Sequence, residues 1–304
     1  MLKHVRKTVG LAGLSAALVF GAAGTAMAAS DTINLGYTNW VGAEFNTKLA
    51  QLTIEKNFDV KVKETNAAIA LQFQGVASGD IDGMLMAWLP DTHADYWKKY
   101  KDQLNDLGPV FEGAKLGWVV PDYVPKDKLS SIEDLKNADV KKKLNGIIQG
   151  IDPGAGIMRL SKETVKDYGL DDYKVRAASG PAMTAALARH IDNKKWIVVT
   201  GWTPHWMFGR FDLRFLDDPK GTLGGPQHVD ILVRKGFKDD YPQINAYLKA
   251  MYIPLDTLQD YLYVAQQNAD DHPDTMFEIA AKKFMEDQQD MIQKWVSAAK
   301  KAGS

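Results

Sequence analysis

The segment Met84-Leu-Met-Ala-Trp-Leu-Pro-Asp-Thr-His93 is the most informative stretch of the 304-residue chain. Its apolar beginning, together with Gly83, predicts a buried strand that delivers Trp88 at its end. Pro90 then ends the strand, because proline lacks the N–H group that a sheet ladder requires. An indole is therefore expected at the C-terminal end of a strand, which is where ligands bind in open α/β sheets.

The residues that follow predict the start of a helix. Thr92 is expected to cap this helix, with His93 in its first turn. The ring N–H of His93 should therefore emerge close to the indole of Trp88.

Two further predicted strands lead to tryptophans in the same way. Residues 33–37 form a short apolar strand before Trp40, and residues 196–202 form another that ends at Trp202. Three indoles at three strand ends suggest an aromatic cage, which attracts a cation that has no N–H to donate, such as a quaternary ammonium. Each cation–π contact contributes about 0.5–2 kcal/mol, whereas a micromolar site requires about 8 kcal/mol. A second anchor is therefore expected.

The segment Gly150-Ile-Asp-Pro-Gly-Ala-Gly-Ile-Met158 can supply that anchor. It follows a predicted strand and opens a helix, and free N–H groups at a helix start bind anions. His93 is positioned to donate to the same anion. Two other interpretations are an ordinary tight turn and a nucleotide-phosphate loop. The second lacks both the Lys-Ser/Thr of a P-loop and the Gly-x-Gly-x-x-Gly spacing.

The order of predicted elements indicates an α/β protein with two lobes. Strands and helices alternate over residues 32–107 and again over residues 131–202, which predicts parallel sheets covered by helices. Residues 116–120 and 227–234 are expected to cross between the lobes, and residues 241–301 to be helical throughout. The pattern predicts a hinged clamp of two α/β lobes joined by two crossovers, with the ligand in the interlobe cleft. The predicted domains are residues 29–115 plus 228–304 for lobe 1 and residues 116–227 for lobe 2.

Residues 1–28 have the pattern of a cleaved signal peptide. A basic start with Lys3, Arg6 and Lys7 precedes an apolar run, and Ala26-Met-Ala28 is a small-residue cleavage site. The mature protein is therefore expected in a bacterial periplasm. With no cysteine, it carries neither disulfides nor a lipid anchor.

The remaining composition argues against several functional classes. Without the three basic residues of the signal peptide, 34 Lys+Arg stand against 38 Asp+Glu, a balance that argues against a nucleic-acid partner. No pair of histidines has metal-ligand spacing, and no Gly-x-Ser-x-Gly elbow is found. We therefore expect no cofactor, no metal and no catalysis.

Three motifs give the chain a resemblance to a known family. It resembles the glycine betaine-binding proteins of bacterial ABC-type osmoprotectant importers across the whole mature region. The motifs that carry the resemblance are Ala87-Trp-Leu-Pro-x-Thr-His93, Gly150-Ile-Asp-Pro-Gly-x-Gly-Ile-Met158 and Thr200-Gly-Trp-Thr-Pro-His-Trp-Met-Phe208.

The resemblance implies a type II-like periplasmic-binding-protein fold, a site and a partner. It places the tryptophan cage on Trp40, Trp88 and Trp202, and the carboxylate anchors on His93 and on the backbone N–H groups of Gly156 and Ile157. It implies a monomer that delivers a betaine-type ligand to an inner-membrane permease. Choline, carnitine, dimethylsulfoniopropionate or an amino acid remain alternative ligands, and a periplasmic betaine-processing enzyme is a further alternative. Glu44 would add attraction for a cation, and the roles of Glu44 and His205 stay open.

Overall fold

The computed structural model describes residues 31–303, so the predicted signal peptide lies outside the described residues. The first part of the described chain alternates strands and helices, as the sequence predicts. Its elements are β1 (Thr32–Tyr37), α1 (Val41–Asn57), β2 (Lys61–Asn66), α2 (Ile69–Ser78), β3 (Gly83–Leu89), α3 (Ala94–Tyr100) and β4 (Leu104–Pro121). Every residue of β3 is buried, because strands flank it on both sides and helices pack on it.

A second α/β unit follows a short 3-10 helix, Ile132–Lys136. Its elements are α4 (Ala138–Leu144), β5 (Ile147–Gln149), α5 (Gly156–Asp167), β6 (Lys174–Arg176), α6 (Gly180–Asp192), β7 (Val198–Thr203), α7 (Met207–Arg210) and β8 (Leu213–Phe215).

The last part of the chain is one strand and a set of helices. These elements are β9 (Gln227–Arg234), α8 (Phe237–Asp240), α9 (Pro242–Ala250), α10 (Leu255–Gln267), α11 (Met276–Asp287) and α12 (Gln289–Ala302). The prediction of uninterrupted helix over residues 241–301 is wrong at residues 251–254 and 268–275, where Pro254 and Pro273 disfavour helix continuation. Because α11 packs on α1 and α12 on α9, these helices cover the first lobe.

The strands follow the order β2-β1-β3-β9-β4-β7-β5-β6, and β8 pairs with β4. Parallel pairing holds for β1 with β2 and β3, and for β5 with β6 and β7. In contrast, β9 is antiparallel to β3 and β4, and β4 is antiparallel to β7. The prediction of parallel sheets is therefore correct within each α/β unit. At the centre, the two segments predicted to cross between the lobes belong to the strands β4 and β9, which are antiparallel to their neighbours.

The strand β4 connects the two lobes. Its residues 104–114 pair with β9, its residues 115–119 pair with β7, and its end pairs with β8. This change of partner coincides with the start of the predicted crossing at residues 116–120. The strand β9 pairs along its length with β3 and β4, so the chain returns just before Gln227 rather than within residues 227–234. The residue limits assigned to the two lobes stay a prediction.

Among residues 31–303, no helix combines the length and the apolar character needed to cross a membrane.

Candidate functional site

One cavity between the lobes is lined by all six residues that were predicted to bind the ligand. Its volume is about 40 Å³, which exceeds the roughly 10–15 Å³ that one water molecule needs. The six residues are Trp40, Trp88, His93, Gly156, Ile157 and Trp202. Their convergence on one cavity is a feature of the fold, whereas their roles in binding stay a prediction.

The end of β3 fixes Trp88 and His93 relative to each other. The backbone N–H of Trp88 donates to Nδ1 of His93 at 3.0 Å, and the backbone N–H of His93 donates to the carbonyl oxygen of Trp88 at 3.0 Å. Because Nδ1 accepts a hydrogen bond, the proton of the neutral imidazole lies on Nε2. This local pair presents an indole and a ring N–H to the cavity together.

The imidazole of His93 is neutral, and its Nε2–H donor is not used within the described chain. Its side chain is only 1% exposed, and Nε2 has no hydrogen-bond partner among the described residues. Burial first, and the charge of Arg159 second, lower the pKa of His93 to about 3. His93 can therefore offer one N–H donor to a ligand without bringing a charge of its own.

Thr92 does not have the predicted capping role. The residue at the N-cap of α3 is His93, and no side chain caps that helix. The hydroxyl of Thr92 instead donates to Oε1 of Gln227 at 2.7 Å, and the backbone N–H of Thr92 donates to the same oxygen at 3.1 Å. Thr92 therefore binds Gln227, 135 residues further along the chain, instead of capping α3, and this bond connects the turn to β9.

Trp40 reaches the cavity from the start of α1, where it is the N-cap residue. Its ring stacks on His93 with 5.9 Å between the ring centroids and 24° between the planes. The indole Nε1–H donates to Oδ2 of Asp152 at 3.1 Å. Trp40 is thus held by contacts from both lobes.

Trp202 lies on β7, opposite Leu116 of β4 in the antiparallel register. Its ring makes an edge contact with His205, with centroids 4.8 Å apart. Nδ1 of His205 accepts the backbone N–H of Met207 at 3.1 Å, and burial lowers the pKa of His205 to about 3. His205 does not line the cavity, and its contacts support Trp202 and the turn that follows β7.

The start of α5 provides the predicted backbone donors. The N–H groups of Gly156 and Ile157 form no hydrogen bond within the described chain, as is usual for the first turn of a helix. A Cβ at Gly156 would overlap the carbonyl oxygen of Thr92 on the other lobe. Glycine at this position therefore allows the helix start to approach the turn that carries His93.

Three residues near the cavity were not predicted. Asn46 on α1 lines it with its side chain fully buried, and neither amide atom has a hydrogen-bond partner among the described residues. Phe111 on β4 also lines it and meets the ring of Trp88 edge-on at 6.1 Å between centroids. Asp152 binds Trp40, as described above. No sequence signal distinguished Asn46 from other polar residues on a helix.

Glu44 lies in a neighbouring groove rather than in this cavity. The groove is bordered by Trp40 and Trp202, two of the three indoles that line the cavity, and by Arg210. Burial first, and the charge of Glu64 second, raise the pKa of Glu44 to about 7. Glu44 is therefore only partly charged at neutral pH, and its predicted attraction for a cation stays a prediction.

The cavity is lined by indoles and by N–H donors, and it has no formal charge. Of the described residues that line it, only His93 has an ionisable side chain, and that side chain is neutral. No cluster of three or more His, Cys, Asp or Glu suited to a metal ion occurs within residues 31–303. Such a cavity suits a small ligand that is neutral overall, with a cation lacking N–H groups at one end and an anion at the other.

Residues 31–287 match the family model of the substrate binding domain of ABC-type glycine betaine transport systems, OpuAC. The chain belongs to this family. The resemblance indicated by the motifs is thereby confirmed. The family consists of extracytoplasmic binding proteins of transporters and not of enzymes.

Two solved structures resemble this OpuAC-family chain. Lactococcal OpuAC, in its closed-liganded conformation complexed with glycine betaine, is 37% identical, with a TM-score of 0.78 over 88% of this chain and 100% of that one. The glycine betaine/L-proline-binding protein ProX of Borrelia burgdorferi is 31% identical, with a TM-score of 0.80 over 88% and 98% of the two chains. These similarities confirm the predicted two-lobed periplasmic-binding-protein fold.

A curated relative covers less of the chain. The glycine betaine/carnitine transport binding protein GbuC of Listeria monocytogenes is 38% identical over 165 residues, which are 54% of this chain. The aligned region spans about half of that relative, 53% of its length.

Proposed function

We propose that this protein is the periplasmic binding protein of an ABC importer and that it captures glycine betaine or a close analogue. The trimethylammonium group lies between the indoles of Trp40, Trp88 and Trp202. The carboxylate accepts hydrogen bonds from the backbone N–H groups of Gly156 and Ile157 and from Nε2 of His93.

The absence of formal charge in a cavity lined by both indoles and N–H donors carries this proposal. A zwitterion has no net charge, so its burial needs no counter-ion, and the separate ends meet indole faces and N–H donors. A cation without a carboxylate, such as choline, would leave the buried donors unpaired. Each unpaired buried donor costs about 1–3 kcal/mol, which favours betaines over choline.

Carnitine is a second candidate ligand because of Asn46. Carnitine has a trimethylammonium group and a carboxylate, with a hydroxyl group between them. The buried amide of Asn46 lines the same cavity without a hydrogen-bond partner among the described residues and can bond such a hydroxyl. Dimethylsulfoniopropionate presents the two charged ends without the hydroxyl.

The predicted export signal and the family together support a place in transport. The protein acts as a monomer outside the inner membrane, where closure of the lobes traps the ligand. The closed form then docks on the permease, whose cytoplasmic ATPase drives import.

A calorimetric titration of residues 29–304 tests the ligand class. Glycine betaine, carnitine, dimethylsulfoniopropionate and choline are titrated in parallel, and we expect one-to-one binding of the betaines and at least tenfold weaker binding of choline. Equal or tighter binding of choline would remove the carboxylate anchor from the proposal. No heat with any ligand, in protein whose fold is verified by circular dichroism, would reject the site. Turnover of betaine, followed by proton NMR, would instead support the enzyme alternative.

A further inference from the structure

We propose that Asp152 is a positioning residue that holds the third wall of the cage, Trp40, in place from the opposite lobe. This inference rests on the proposed function, because it concerns the assembly of the same cage. Its consequence is that the indole of Trp40 is fixed in its orientation only when the two lobes are closed.

The position of the hydrogen bond carries the proposal. Trp40 lies at the start of α1 in the first lobe, whereas Asp152 lies in the turn between β5 and α5 in the second lobe. The indole Nε1–H of Trp40 donates to Oδ2 of Asp152 at 3.1 Å, across 112 residues of sequence. The carbonyl oxygen of Asp152 accepts the N–H of Ala155 at 2.9 Å, which fixes the turn ahead of Gly156. One turn therefore carries both the backbone donors for the anion and the acceptor for the indole.

Trp40 differs from the other two cage residues in the way it is held. Trp88 and Trp202 are strand residues, and their positions follow from the ladders of β3 and β7. Trp40 instead precedes the first turn of a helix. Among the described residues, neither Trp88 nor Trp202 uses its indole N–H in a hydrogen bond, whereas Trp40 does so with the opposite lobe.

Asp152 has no competing partner in the described part of the chain. No ion pair involves its carboxylate, and the bond to Trp40 is the only side-chain hydrogen bond it makes there. The nearby cation Arg159 instead contacts Asp95, Glu163 and the carbonyl oxygen of Asp91. The structure thus assigns the carboxylate of Asp152 to orienting the indole.

A second hydrogen bond between the two lobes provides a matched control. The hydroxyl of Tyr96 in the first lobe donates to the carbonyl oxygen of Gly154 at 3.1 Å. Neither Tyr96 nor Gly154 lines the cavity. The Tyr96→Phe change therefore removes an interlobe hydrogen bond without affecting a cage wall.

The test is a double-mutant cycle on Asp152 and Trp40, with glycine betaine as the titrant. The variants are Asp152→Ala, Asp152→Asn, Trp40→Phe, Trp40→Phe/Asp152→Ala and Tyr96→Phe. Calorimetry gives the dissociation constant, and stopped-flow tryptophan fluorescence separates the association and dissociation rates. Thermal denaturation without ligand reports whether each variant is folded.

We expect Asp152→Ala to weaken binding about tenfold, mainly through faster dissociation, because the bond to the indole forms on closure. Asp152→Asn should bind within about threefold of the wild type, since the amide oxygen still accepts the indole N–H. In the Trp40→Phe background, which has no N–H to donate, Asp152→Ala should have no further effect. Tyr96→Phe should weaken binding less than Asp152→Ala.

Several results would overturn the inference. A tenfold loss in Asp152→Ala that persists in the Trp40→Phe background would mean that Asp152 acts independently of the indole. An equal loss in Asp152→Asn would assign the effect to the charge. Wild-type affinity in Asp152→Ala, with weakened binding in Trp40→Phe, would reject the positioning role and leave the cage intact. Wild-type affinity in Trp40→Phe and in Trp40→Ala would instead count against the proposed cage itself.

Discussion

The replacement of His93 by asparagine tests the carboxylate anchor with little disturbance of the fold. In the wild-type protein Nδ1 of His93 accepts the backbone N–H of Trp88 at 3.0 Å, while Nε2 is buried without a partner among the described residues, in a residue that lines the cavity. The side-chain oxygen of asparagine occupies a place similar to Nδ1 and can accept the same N–H. Nothing in asparagine reaches the position of Nε2, so the donor toward the ligand is lost, and the ring contact with Trp40 is lost with it.

The expected loss follows from the kind of hydrogen bond removed. A hydrogen bond to a charged group contributes about 1.5–3 kcal/mol, which corresponds to a loss of affinity of roughly 10- to 150-fold for glycine betaine. Choline has no carboxylate, so it should lose only the smaller part of the affinity that depends on the ring contact between His93 and Trp40, a part that both ligands share. Because the pKa of His93 is about 3, its Nε2–H is retained from pH 8 down to pH 5, and the ratio of wild-type to His93→Asn affinity should be constant over that range. The donor geometry changes only as the pH approaches 3 and the ring becomes protonated.

Calorimetric titrations with glycine betaine and choline, at pH 5 and pH 8, provide the measurement. His205→Asn is the matched control, because Nδ1 of His205 also accepts a backbone N–H while its ring lies outside the cavity. Since His205 touches Trp202, any effect of this control should change the affinities for betaine and choline by the same factor. Unchanged betaine affinity in folded His93→Asn protein, or an equal loss for both ligands, would refute the reasoning.

Three other predictions concern the cage, the helix start and the neighbouring groove. Trp88→Ala and Trp202→Ala should each weaken betaine binding at least about 30-fold, since a desolvated cation–π contact contributes about 2 kcal/mol. The corresponding Phe variants keep an aromatic face and should lose less affinity. Equal losses in the Ala and Phe variants, measured by calorimetry, would contradict the cage. Gly156→Ala should weaken binding at least about tenfold because its Cβ would meet the carbonyl oxygen of Thr92, whereas Gly154→Ala, where a Cβ meets no atom within 4 Å, should bind normally. Small-angle scattering with ligand should show Gly156→Ala remaining open, and normal closure would count against the close contact. Glu44→Gln should have the melting temperature of the wild type near pH 4.5 and a higher one at pH 8. The pKa of Glu44 is about 7 in the folded protein, above the ordinary 4.5, so the wild type loses stability as the pH rises from 4.5 through 7, whereas the uncharged glutamine does not. The same melting-temperature difference at both pH values would show that burial of the Glu44 charge is not its cause.

The features that the sequence predicted well are those that depend on neighbouring residues. The buried run before Trp88 and the proline after it define the end of β3, and the glycine-rich segment ahead of Gly156 defines the start of α5. These local signals placed the indoles and the backbone donors at strand and helix ends. The fold then brings such ends together at the cleft between the lobes.

The features that were missed depend on residues far apart in the chain. The antiparallel course of β9 is a matter of sheet order, and an apolar run gives no information about the direction of its partners. The capping role expected for Thr92 is local and was displaced by Gln227, which the sequence does not place nearby. Asn46 resembled any polar residue on a helix, because its burial depends on the packing of α1 against the cleft.

In the proposed site, the segment from Asp152 to Ile157 links selectivity to closure. There, Gly156 and Ile157 would provide donors for an anion, Gly156 allows close contact with the turn that carries His93, and Asp152 accepts a hydrogen bond from the indole of Trp40. A ligand with both a cation and a carboxylate therefore engages groups from both lobes at once. A ligand with only one of these ends gains part of this energy, and it leaves buried N–H donors or indole faces without a partner. The free energy that favours the closed form is thus greatest for a zwitterion of matching length, so the protein distinguishes ligands by how completely they stabilise closure.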